Sequence, residues 1–131
     1  MVNTGLLRRT LAHIEQHPDE WNQGTWATRS GCRTAYCFAG WAVVLSGYEA
    51  RFHDDVDISR DHDYADYVQT PDARLCELSG VPYDDNWVTI NDAARGLLGL
   101  SESQADRLFT GVNGLAELRK IVAGLIADDA P

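Results

Sequence analysis

Residues 31–45 constrain the fold more than any other stretch. They read Gly31-Cys32-Arg33-Thr34-Ala35-Tyr36-Cys37-Phe38-Ala39-Gly40-Trp41-Ala42-Val43-Val44-Leu45 and run into the most apolar part of the chain. Phe38, Trp41, Ala42, Leu45 and Tyr48 fall on one wide face at helical spacing, and Val43 and Val44 add apolar surface to the opposite side. A helix that is apolar nearly all round is a buried one. Thr34 is placed to cap its start, Gly47 to end it. Ala39 and Gly40 would let another backbone come close. Everything else must be arranged around this piece.

The flanking segments read as helices that cover it. Leu7, Leu11 and Ile14 recur on one face of a helix over residues 4–16, with Thr4 as N-cap and Pro18 as stop. Trp21 and Trp26 lie in a turn-rich connector and are expected to fold back onto the core, each indole N–H seeking an acceptor. Residues 72–78 suggest a short helix ended by Ser79-Gly80, and residues 91–98 another ended by Gly99. Ser101 and Gln104 match a capping box. Asn113 is expected to cap a last helix with a stripe of Leu115, Leu118, Val122 and Leu125, widened by Ile121 and Ile126; left exposed, that stripe would suit a homodimer. The expected fold is mainly α: one domain over 1–131, about five helices around a buried central helix. A small β element is expected at most, near Trp26 or residues 88–90.

The 131 residues carry a net charge of -9, unevenly distributed. Residues 49–85 hold eleven acids and three bases, so -8; residues 1–48 sum to +1 and residues 86–131 to -2. Residues 49–73 are also poor in aliphatics and weakly patterned. They read as a long acidic loop with one helical turn over residues 64–68, and loops of this length usually carry function. So much negative charge argues against direct nucleic-acid binding there. No apolar run approaches the roughly 18 residues that span a bilayer. The N-terminus does not read as a secretory signal. A cytoplasmic protein with reduced cysteines is expected, which disfavours a Cys32–Cys37 disulfide.

Two segments carry a family likeness. One is His17-Pro18-Asp19-Glu20-Trp21-Asn22-Gln23 followed by the Cys-x-Thr-x-x-Cys-Phe-Ala-Gly-Trp-Ala motif of residues 32–42. The other is Ala93-Ala94-Arg95-Gly96-Leu97-Leu98-Gly99-Leu100 followed by Ala105-Asp106-Arg107-Leu108-Phe109. Together they resemble a group of small proteins from actinobacteria and their bacteriophages. The resemblance covers both ends of the chain and skips the acidic middle. It implies a setting, an accessory protein in a bacterial or phage-infected cytoplasm, and no mechanism.

Four chemistries compete for the remaining residues. Cys37, in the first turn of the central helix, would have its thiolate favoured by the helix dipole. With Asn22-Gln23-Gly24 upstream it is similar to the nucleophile region of papain-like cysteine peptidases, although the interval from Gln23 to Cys37 is too long. A hydrolase or transferase would also need His53 or His62, oriented by Asn86, Asn91 or Asn113. Against this stands the commonest fate of a lone cysteine, a small apolar core residue. Zinc could be held by Cys32, Cys37 and Cys76 with one histidine, although only one close cysteine pair exists. Asp55, Asp57, Ser59, Asp61, Asp63 and Asp66 fall at calcium-loop spacing, but Arg60 sits where the loop needs glycine and Asp66 replaces a bidentate glutamate. His13 and His17 are expected in surface or capping roles. The reading preferred is a non-enzymatic interaction protein without a cofactor. Asp54, Asp55, Asp57, Asp61 and Asp63 would form its contact surface, and Tyr64 and Tyr67 its aromatic anchors, for a protein partner with a basic patch.

Overall fold

The computed structural model describes residues 2–24, 26–30, 33–51, 63–64, 67–69, 72–81 and 88–129. Helix α1 (Thr4–Gln16) covers the residues its sequence suggests, but its cap lies one residue earlier. Asn3, not Thr4, is the cap: its Oδ1 accepts the Leu6 N–H at 3.1 Å. Asn3 also ties the start of α1 to a distant helix, its backbone N–H and Nδ2 donating to the carbonyls of Leu98 and Leu97. Leu6, Leu7 and Ile14 are buried, and Thr10 joins them by returning its hydroxyl to the Leu6 carbonyl at 2.7 Å. A 3-10 turn (Pro18–Glu20) follows where proline blocks further helix.

The central helix is α2 (Phe38–Leu45), and it starts later than expected. Residues Arg33–Tyr36 form strand β2, paired antiparallel with β1 (Ala27–Ser30) from Ala27↔Tyr36 to Ser30↔Arg33. Thr34 therefore lies in a strand and does not cap the helix. Cys37 does, its sulfur accepting the Gly40 N–H at 3.4 Å. Phe38 through Val43 are all buried, as an all-apolar helix requires. A Cβ on Gly40 would run into the Trp26 carbonyl, so the strand-to-helix corner depends on the missing side chain.

The acidic middle contains strands where the sequence suggested a helical turn. β3 (Glu49–Arg51) pairs antiparallel with β5 (Tyr67–Gln69), and β4 (Asp63–Tyr64) adds to the free side of β1 through Thr28↔Tyr64 and Arg29↔Asp63. Two small sheets result, ordered β2-β1-β4 and β3-β5. Residues 67–68 also reach the segment before the fourth helix, Val68 donating to the Val88 carbonyl at 2.9 Å and Tyr67 bridging to Thr89. Cross-strand pairing outweighs the weak local helix signal here.

The last part follows its sequence closely. Helices α3 (Ala73–Ser79) and α4 (Ile90–Leu98) both end on left-handed glycines, Gly80 and Gly99, with φ of 74° and 70°. α5 (Glu102–Phe109) opens on the capping box, with both reciprocal bonds formed. α6 (Leu115–Asp129) buries Leu118, Ile121, Val122 and Leu125, and it packs on α1 and α5. Most of its apolar stripe thus faces the core, with Leu115 and Ile126 partly buried beside it. Asn113 faces backwards: its amide donates to the carbonyls of Arg107 and Leu108 at the end of α5, and the Gly114 carbonyl starts α6.

The fold is mainly α. α2 lies between α1 and α4, α3 packs on α4, and the buried side chains join into one core. Among the described residues no helix is long and apolar enough to cross a membrane.

Candidate functional site

Cys37 lies at the start of α2, where a reactive thiol would gain from the helix dipole, yet it is sealed. Its side chain is 1% exposed. Burial pushes the thiol up to about 11, and the backbone N–H groups of Gly40 and Ala39 only partly oppose that. Desolvation thus outweighs the helix terminus. A thiol in this state is a poor nucleophile at neutral pH.

Gln23 stands beside it in space despite the long interval in sequence. The side chain is 7% exposed and fully used. Its Oε1 accepts the Trp21 indole N–H at 3.0 Å and the Phe38 N–H at 3.1 Å. Its Nε2 donates to the carbonyls of Leu108 at 3.1 Å and Thr110 at 3.3 Å. One amide therefore joins the tryptophan connector, the first turn of α2 and the last turn of α5. No donor remains on it to stabilise an oxyanion. The papain-like pieces do meet, but as a satisfied buried network.

The other catalytic candidates do not complete a triad among the described residues. His53, His62 and Asn86 lie outside them. Asn91 belongs to α4, and Asn113 is spent on α5. His13 and His17 join an aromatic cluster with Trp41. The His13 ring centroid lies 4.0 Å from that of Trp41 and 4.5 Å from that of His17. Tyr36 packs edge-on to Trp41 at 4.8 Å, and the Trp41 indole N–H donates to the Glu20 carbonyl. His17 pairs with Glu20 at 3.4 Å. Burial, then the neighbouring His17, lowers the His13 pKa, while Glu20 opposes this. The cluster fastens α1 to α2, which goes beyond the surface role its sequence suggested.

Cys76 is buried in α3, and Cys32 lies outside the described residues. Among the described residues no three His, Cys, Asp or Glu side chains are grouped to hold a metal ion. Of the calcium-loop spacing only Asp63 is described, and its backbone is extended in β4.

For the acidic contact surface, Asp54, Asp55, Asp57 and Asp61 lie outside the described residues. The backbone on either side of them is in place: Arg51 ends β3, and Asp63 and Tyr64 form β4. Tyr67, on β5, is 36% exposed. The acidic run thus leaves one small sheet and returns to the other. That bracketing could not be read from local pattern, because each strand has only two or three residues. Gln23 was likewise missed as a hub. The amide pair Asn22-Gln23 between two tryptophans in an otherwise turn-rich connector is the available hint.

No family model, curated protein or solved structure matches the chain.

Proposed function

We propose that the protein is a small, non-enzymatic protein–protein interaction module whose acidic segment docks on a basic patch of a partner. The observation that carries this reading is the pairing of β3 with β5 and of β4 with β1, which fixes the backbone at both ends of residues 52–62. Fixed ends reduce the ordering cost of binding for a charged segment. Asp54, Asp55, Asp57, Asp61 and Asp63 supply the charge that steers the encounter, and Tyr64 and Tyr67 the aromatic anchors. The sealed Cys37 favours a scaffold role for the central helix over a catalytic one. The resemblance of residues 17–42 and 93–109 to small actinobacterial and phage proteins supports a bacterial cytoplasm as the setting.

The test uses capture from an actinobacterial lysate, followed by binding of the purified captured protein. Charge reversal at Asp54, Asp55, Asp57, Asp61 and Asp63 is expected to abolish capture while the far-UV spectrum stays unchanged. Binding by the unaltered protein should weaken as salt rises from 0.05 to 0.5 M, the ordinary behaviour of exposed charge pairs with a Debye length of about 10 Å at 0.1 M. A captured set identical for both proteins removes the proposal.

A further inference from the structure

We propose that a groove bounded by α1, α3 and the C-terminal ends of α2 and α4 binds a small organic anion, with a carboxylate or phosphate head on an apolar body. The groove has a volume of about 540 Å³. That is within the usual range of roughly 300–1,000 Å³ for small-molecule sites. Arg9 of α1 and Arg74 of α3 both line it. Neither forms an ion pair among the described residues. Arg74 influences the Asp72 carboxylate and the Tyr48 phenol electrostatically without pairing with either.

The other polar groups of the lining are already occupied. The Tyr48 hydroxyl donates to the Asp72 carboxylate at 2.9 Å, and that carboxylate also caps α3 through the Leu75 N–H. The Ser46 hydroxyl donates to the Ala42 carbonyl at 2.8 Å. Asn3 bonds the Leu97 and Leu98 carbonyls at the end of α4, and the partial negative charge of that helix end is opposed by the two guanidiniums. Among the described residues of the lining, the two guanidiniums are what remains to recognise a ligand, each a fork of donors suited to carboxylate or phosphate oxygens.

A second, independent feature asks for an apolar body. The half-buried Leu45 and Leu97 line the same groove over the buried Leu6, and Leu78 on its wall is 42% exposed. Leu78 is one of few large apolar side chains left open among the described residues. Two cations with no ion pair among the described residues, beside an uncovered leucine, suit an amphiphilic anion better than a bare inorganic one. This site is distinct from the acidic segment, and charge reversal there is expected to leave it intact.

The experiment is an amide NMR titration at low salt with 4-phenylbutyrate, phenyl phosphate and inorganic phosphate. Saturable shifts are expected near Leu45, Leu78 and Leu97 with at least one organic anion, and the tighter of the two identifies the head. Arg9→Gln with Arg74→Gln should weaken that binding by about tenfold or more, the scale of one lost charge-assisted hydrogen bond. Arg9→Lys with Arg74→Lys should keep more of it. Leu78→Ser should weaken the organic anions and leave inorganic phosphate unchanged. Any of three outcomes overturns the proposal: no saturation by either organic anion, equal affinity in the double glutamine variant, or inorganic phosphate binding as tightly as phenyl phosphate. All the substituted side chains are exposed, so an unchanged melting temperature is expected to accompany each result.

Discussion

At the scale of the residue, Cys37 decides what kind of centre the chain holds. Its folded thiol is raised to about 11 from an ordinary value of 9.0, chiefly by burial. The folded state therefore keeps its proton after the unfolded chain has lost it. The associated stability is whole below pH 9 and disappears as pH rises toward 11. Two pKa units correspond to roughly 2–3 kcal/mol. Denaturant unfolding of the protein and of Cys37→Ala from pH 8 to 11 should show their stability difference shrinking by about that amount. A constant difference would mean the sulfur meets solvent. Gln23 is the second decisive residue. Gln23→Leu would leave the Phe38 N–H and the Trp21 indole N–H without their acceptor, while the Leu108 and Thr110 carbonyls keep bonds from Asn113. The expected loss is about 2–4 kcal/mol, since each stranded buried group costs about 1–3 kcal/mol. A shift in urea midpoint too small to resolve would contradict the network. The role of Gln23 was not legible because its acceptors lie 85 and 87 residues along the chain. That Cys37 is buried was legible, because the helix after it has no polar face.

At the scale of the element, features set within a few residues could be read, and those set by distant pairing could not. The capping box at Ser101 and Gln104, the glycine stops at Gly80 and Gly99, and the close approach at Gly40 all appear as expected. The start of α2 did not, because Thr34 is a good cap in isolation, and only its pairing opposite Arg29 makes it a strand residue. The strands of the acidic middle escaped notice for the same reason. Gly96 is the element-scale contact most open to test. A Cβ there would strike the Leu78 carbonyl, backbone against backbone, where α3 crosses α4. Gly96→Ala should improve helix propensity and still destabilise the protein by roughly 1–3 kcal/mol, the usual cost of overpacking. A variant as stable as the parent in thermal unfolding would show that α3 and α4 stand further apart.

At the scale of the whole molecule, chemistry and charge are separated. The helices enclose one apolar core with Cys37 inside it. The negative charge is concentrated in residues 49–85, which the small sheets tie to that core. The mainly α architecture was legible from hydrophobic spacing. The attachment of the acidic segment was not, since it depends on strands too short to leave a pattern. If the central helix is a sealed scaffold, its cysteine becomes reactive only when the core opens. The most direct measurement is the rate of iodoacetamide labelling at Cys37, followed by mass spectrometry across a urea series at pH 8. A sealed Cys37 gives negligible labelling in the native protein and a rate that rises in step with global unfolding. Rapid labelling of Cys37 without denaturant would contradict it.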